Sequence, residues 1–219
     1  MRECDFCNEF AGETRNAFAK RYGKSLPDRA LMGTDRFRVV PSLGQIVEGH
    51  LLIAPVSHYR ALADMSREDV NTLSDLCQMV RSTLQLVYGQ CIFFEHGVRS
   101  ALAGGCGIDH AHMHAVPVRA QGVLNVLTRE YGGRPIYSLE EIKQELRPEQ
   151  SYLYFEDYSA KRYVFPVDSL PSQYLRRLVA QSIGKSDWDW RACGHEPDLI
   201  SAIQRLSPLF AVRAAARRG

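Results

Sequence analysis

The stretch that most constrains this chain is His110-Ala111-His112-Met113-His114-Ala115-Val116-Pro117. In an extended strand successive side chains point to opposite faces, so residues two apart share one. His110, His112 and His114 then line one surface, while Ala111, Met113 and Ala115 pack into the sheet behind them. On a helix the same three would spread over more than half the circumference. Pro117, which cannot donate to a ladder, suits a strand end or a sheet edge. Three of the seven histidines fall within five residues. That clustering points to a site for phosphate chemistry or metal rather than to a histidine-rich surface strand.

Local pattern supplies the surrounding elements. Residues 36–41 and 49–55 read as strands joined through a Gly/Pro-bearing turn, an antiparallel meander. Residues 66–88 form the clearest helix. Ser66 is its N-cap with Asp69 three residues on, and Val70, Leu73, Leu76, Val80, Leu84 and Val87 make an amphipathic stripe stopped by Gly89. Cys77 lies beside that stripe as a small core hydrophobe. A strand over 91–97 leads into a Gly-rich loop, 98–109, whose Gly104, Gly105 and Gly107 let backbone N–H groups approach an anion. The spacing is not that of a P-loop or a dinucleotide fingerprint. Before these, residues 8–30 read as loop with a short helix near 15–21.

After Arg119 the pattern changes. Ser138 and Glu141 make a capping box opening a short helix to about 146, and 152–156 with 162–166 read as a hairpin. Pro171 starts a helix running to 183 before Gly184, and a last helix covers about 198–206. Residues 213–219 read as a basic, fraying end. Tyr152, Tyr154, Trp188 and Trp190 are expected in the core rather than as a base-stacking platform.

A length of 219 residues allows one large domain, or one domain with a substantial appendage. The net charge of +2 gives no warrant for nucleic-acid or membrane binding; only the basic tail speaks for the former. No apolar signal core opens the chain and no run of about 18 apolar residues occurs, so a cytoplasmic protein is expected. In that compartment six irregularly spaced cysteines are thiols or metal ligands. Cys4-Asp5-Phe6-Cys7 is half of a tetrahedral zinc site, with histidines the natural source of the other two ligands.

A strand of alternating histidines, preceded by a Gly-rich loop, a long helix and the segment Gly49-His50-Leu51-Leu52-Ile53-Ala54-Pro55-Val56-Ser57-His58, resembles the histidine-triad (HIT) nucleotide hydrolase and transferase superfamily. The resemblance covers about residues 1–119. It implies an α+β fold, an antiparallel meander sheet with a long helix packed on it. Residues 1–119 would be the HIT-like catalytic domain, and 120–219 a C-terminal α/β extension packed on or swapped against it. His112 takes the role of nucleophile, His114 contacts the phosphoryl oxygens and leaving group, and His50 completes the cluster. The Gly105–Gly107 backbone, with Cys106 between, would hold non-bridging oxygens. The metal-bearing branch implies a structural zinc on Cys4, Cys7, His58 and His110. A homodimer is expected because such folds commonly form one.

This chain also departs from the family pattern. Cys106 and Gly107 stand where the family has Gln and a hydroxyl residue, and Glu95-His96-Gly97 where it has Asn. A carboxylate that commonly grips the ribose is replaced near Ser42. His96 is either a substituted phosphate or sugar contact or a turn-stabilising residue. Asp109 is structural, and His195 and Cys193 receive no role. The implied activity is hydrolysis of a dinucleoside polyphosphate, phosphoramidate or other nucleotidylated compound through a nucleotidyl-histidine. A third histidine, rather than the Gln of the transferase branch, favours hydrolysis. Transfer to phosphate or a sugar phosphate, and a non-catalytic zinc-stabilised nucleotide-binding module, are the alternatives.

Overall fold

Alternating apolar segments on both sides of residue 119 assemble into one antiparallel sheet. The computed structural model describes residues 4–26, 28–99 and 108–216. Within them the strands are β1 (Met32–Gly33), β2 (Phe37–Pro41), β3 (Leu51–Pro55), β4 (Ile92–Gly97), β5 (Met113–Val116), β6 (Arg134–Ile136), β7 (Ser151–Glu156) and β8 (Arg162–Val167). Their order is β1-β2-β3-β5-β4-β7-β8-β6. The expected 36–55 meander is β2 on β3, and β5 inserts between β3 and β4. The expected hairpin is β7 on β8, and β7 pairs with β4, opposing Phe94 to Phe155.

Both faces are covered, so neither alternates apolar with solvated residues. On one, Phe93, Ala111, Met113 and Ala115 join Leu73, Leu76, Val80 and Leu84 of α3 (Arg67–Tyr88) and Leu206 and Phe210 of α6 (Glu196–Ala216). Ser66 Oγ accepts from Asp69 N at 3.1 Å to open α3, and Gly89, at φ 96°, ends it in a conformation that disfavours a β-carbon. Cys77 is buried in this core as expected. On the other face Ile92, Phe94, Leu153 and Phe165 pack against Val123 and Leu127 of α4 (Val123–Tyr131) and Leu175 and Val179 of α5 (Tyr174–Ser182). No helix among the described residues is long and apolar enough to cross a membrane.

Several elements differ from the sequence reading. Cys4 is the N-cap of α1 (Asp5–Phe10), so the C-x2-C is the first turn of a helix rather than an isolated knuckle. The short helix read near 15–21 is α2 (Ala17–Tyr22), capped by Asn16 Oδ1 on Ala19 N. Neither α4 nor β6 was expected; α4 is brief, bracketed by Gly122 and Gly132 in the left-handed region. Residues Leu139–Glu145 form a 3-10 turn. Glu141 spends its carboxylate on Tyr137 N and Ser138 Oγ, so no side chain caps the first amides. α5 begins at Tyr174, after Gln173 in the left-handed region. The last helix extends well beyond 198–206, passing Pro208 and including 213–216, because fully buried Leu206 and Phe210 anchor it.

One buried acid in this frame sets a stability measurement. Glu95 accepts from Leu62 N at 2.8 Å and Tyr152 Oη at 2.5 Å. Burial pushes its carboxyl from 4.5 up to about 8, against the pull of those two donors. The unfolded chain loses this proton near 4.5 and the folded chain near 8, so over that window stability falls as pH rises, by at most about 1.4 kcal/mol per pH unit. Glu95→Gln keeps an acceptor for Leu62 N and carries no charge. Urea midpoints at about pH 5.5 and about pH 8.5 should show wild type losing stability relative to Glu95→Gln at the higher value. Parallel behaviour would show that Glu95 ionises normally.

Candidate active site and metal centre

Alternation delivers the triad, but its members part company. Only His114 lies in a paired strand, between Leu52 of β3 and Phe94 of β4, with its ring stacked on Phe94 at 4.3 Å. His110 and His112 precede the ladder, in a run held by Ala111 N donating to Tyr59 O at 2.7 Å. His112 keeps its ring 4.8 Å from that of His114. His110 instead meets Cys4, Cys7 and His58.

Hydrogen bonds assign the ring protons. His112 Nδ1 is 2.7 Å from the His110 carbonyl, which can only accept, so Nδ1 carries the proton and Nε2 keeps its lone pair. Ile46 N donates to His50 Nδ1 at 3.4 Å, so His50 holds its proton on Nε2 and gives it to His114 Nδ1 at 2.9 Å. His114 is thereby left with an Nε2–H to offer. Gln45 braces this chain, accepting from His50 N and donating to the Ser42 and His50 carbonyls. Burial keeps the imidazoles neutral. It lowers His112 to about 4, depresses His50 and His114 well below the ordinary value, and the neighbouring rings and Arg176 add to the effect. A neutral Nε2 lone pair beside a fixed N–H donor can attack phosphorus and stabilise the oxygen charge that results.

His112 and His114 form one wall of an open pocket of ≈ 370 Å³ with Ser42, Arg29 and Arg176; Phe6, Leu43, Leu52, Ile108 and Trp190 form the apolar remainder. Sequence reasoning missed Arg29, Arg176 and Phe6. Two arginines in helical or loop context read as solvated charge, and nothing local marks them as buried. Of the aromatics expected in the core, Tyr152 and Tyr154 are fully buried, while Trp188 and Trp190 are half-buried and pack against core clusters, Trp190 also lining the pocket. His96 is buried on β4, where Nε2 accepts from Leu175 N at 2.9 Å. Asp109 forms an exposed ion pair with Arg60. Gly105, Cys106 and Gly107 lie outside the described residues.

At the other end, the ligand atoms of Cys4, Cys7, His58 and His110 all lie within 4.8 Å of one another. His110 Nε2 donates to Pro55 O at 2.8 Å, leaving the Nδ1 lone pair 3.3 Å from Cys4 Sγ and 3.6 Å from Cys7 Sγ; His58 Nδ1 is 3.4 Å from Cys7 Sγ. A tetrahedral zinc ion with ordinary Zn–S and Zn–N bonds separates S from N by roughly 3.6 Å. The donor set and its spacing therefore fit zinc, and a backbone carbonyl already orients the His110 ring as a metal-bound imidazole requires. Phe6, inside the C-x2-C, sets its ring edge-on to both His110 (5.5 Å) and His112 (5.6 Å), which joins the two clusters.

The chain is similar to HIT-family proteins. Solved structures that it resembles include a member of the HIT family from Bacillus subtilis, at 16% identity and a TM-score of 0.42, covering 55% of this chain and 77% of that one. Another is a Zn-bound histidine triad family protein from Mycobacterium smegmatis, at 19% identity and a TM-score of 0.37, covering 48% and 76%. CWF19-like protein 1 from Mus musculus is 24% identical over an alignment of 180 residues that covers 74% of this chain. The chain spans only 31% of that relative's length. No family model matches the chain. Residues 1–119 carry α1 to α3 and β1 to β5, and residues 120–219 carry α4 to α6 and β6 to β8, all eight strands in one sheet.

Proposed function

We propose that this chain is a HIT-type nucleotidyl hydrolase that splits a phosphoanhydride or phosphoramidate bond through a nucleotidyl intermediate on His112. The observation that carries this reading is the tautomer of His112: its Nδ1–H is tied to the His110 carbonyl, so Nε2 carries the lone pair, and the residue lines the pocket. Residues 1–119 supply the reacting histidines, and 120–219 close the pocket over them.

Nε2 of His112 bonds to phosphorus as the bridging bond breaks, and the electron pair leaves with the departing group. A phosphate oxyanion leaves without a proton; an amine takes one from water. The His114 Nε2–H stabilises the charge on oxygen, held in place by His50, whose own proton sits on the far side of His114. Nδ1–H remains on His112, so the intermediate is a cationic imidazolium phosphoramidate and a good electrophile. Water then attacks phosphorus, the pair returns to Nε2, and a proton and a mononucleotide are released. The apolar wall of Phe6, Leu43, Leu52, Ile108 and Trp190 suits a planar base.

Cys4, Cys7, His58 and His110 would hold a structural zinc. With all four positions protein-filled, it would anchor α1 and Phe6 behind His112 and take no part in bond cleavage.

The test is incubation of the full chain with a dinucleoside polyphosphate and, separately, with adenosine phosphoramidate. A mononucleotide should form without added acceptor, and acid-labile label should remain on the protein after a quench. Product formed only when phosphate or a sugar phosphate is supplied would replace hydrolysis by transfer. No product and no adduct from any nucleotidylated compound would remove the enzymatic reading.

A further inference from the structure

The pocket contains a buried cation that none of the chemistry above uses. Arg176, on α5, is 3% exposed. Its Nε donates to Trp188 O at 3.0 Å, Nη1 to Ser42 Oγ at 3.3 Å and Nη2 to Gly44 O at 2.5 Å. All three acceptors are neutral, and they use three of the five guanidinium N–H groups. Among the described residues no carboxylate pairs with it: Asp189, which attracts it from a distance, is occupied by Gln173 Nε2 and Arg191 N. Burial lowers Arg176 only to about 10, so it stays charged at neutral pH. Taking an ion out of water costs several kcal/mol unless an opposite charge is supplied. Four neutral histidines, His50, His96, His112 and His114, lie within its field, and none can supply one.

His96, which does not line the pocket, packs under the same turn of α5. His96 Nε2 accepts from Leu175 N, so the ring proton is on Nδ1, which is buried with no partner among the described residues. Leu175 and Arg176 are consecutive in α5, so one helical turn holds both groups against the sheet. Ser42 Oγ, on the pocket wall, receives the guanidinium.

We propose that Arg176 makes this pocket a receptor for an anionic group of the ligand, a phosphoryl group, and is a binding residue supplied by the C-terminal half of the chain. This deepens the nucleotidyl reading and rests on it for the nucleoside, but not for the anion. Calorimetry on the full chain tests it with three probes: inorganic phosphate, adenosine monophosphate and uncharged adenosine. Wild type should bind the monophosphate more tightly than adenosine, and Arg176→Met should weaken it by about 10- to 100-fold. Adenosine affinity should stay within about twofold, and Arg176→Lys should recover part of the difference. A merely structural arginine would weaken monophosphate and adenosine alike; that outcome, or no binding of phosphate by wild type, overturns the proposal. Phosphate binding that depends on Arg176, in a chain that turns over no nucleotidylated compound, would keep the anion site and overturn the hydrolase reading alone.

Discussion

His112→Asn is expected to abolish turnover of any nucleotidylated substrate, lowering kcat by about 10³-fold or more, with no labelled protein after a quench. Asparagine can still hydrogen-bond to the His110 carbonyl, so the backbone around position 112 is kept while the attacking lone pair is lost. The contrast with His114 makes the assignment specific. His114→Phe preserves the stack on Phe94 but removes the Nε2–H, and loss of one oxyanion donor slows the reaction by about 10²- to 10³-fold. That variant should still form the adduct on His112, only slowly. Label found on His114 or His50, or near-normal rates in His112→Asn, would refute the mechanism.

The second large effect concerns the metal. Purified protein is expected to carry one zinc per chain, and the Cys4→Ser/Cys7→Ser double variant none. Losing a structural metal costs of the order of 4 kcal/mol, which in a domain of this size lowers Tm by about 10–15 °C. Activity should fall with it although no zinc ligand touches the pocket, because Phe6 abuts both His110 and His112. Cobalt substitution offers an independent readout, since a Cys2His2 tetrahedral site gives thiolate charge-transfer bands that the serine variant lacks. Protein free of metal, with both thiols readily alkylated and Tm unchanged in the variant, would mean that the four residues pack as an ordinary polar cluster.

How far the sequence went depended on whether a residue's meaning was local. Spacing of two placed Ala111, Met113 and Ala115 in the core beneath α3, and the caps Ser66 and Gly89 bounded that helix correctly. The C-x2-C marked half of a metal site, but which histidines join Cys4 and Cys7 came only from the family resemblance, and the fold brings His58 and His110 to them. What escaped was whatever tertiary contact alone decides. Arg176 sits in an amphipathic helix where an arginine ordinarily faces water, and only the fold turns it toward Ser42. Trp190 is one of four aromatics that composition cannot distinguish: Tyr152 and Tyr154 are in the core, Trp188 and Trp190 pack against it, and Trp190 alone of these reaches the pocket. α4 is too short for a persuasive period, and its glycine-bracketed ends resemble a loop.

The pairing of β7 with β4 has a consequence for how the chain is made. Phe93 and Glu156 meet across 63 residues of sequence, and Ser42 meets Arg176 across 134. A ribosome that has released residues 1–119 has delivered every histidine of the triad, but Ile92, Phe94 and Val116 still lack α4, α5 and β7 to cover them. Until the second half emerges, that face of the nascent sheet is sticky and its β4 edge unpaired, the state most open to misassociation. Synthesis order therefore delivers Arg176 after His112 and His114, so the pocket that all three line forms only once the second half has emerged.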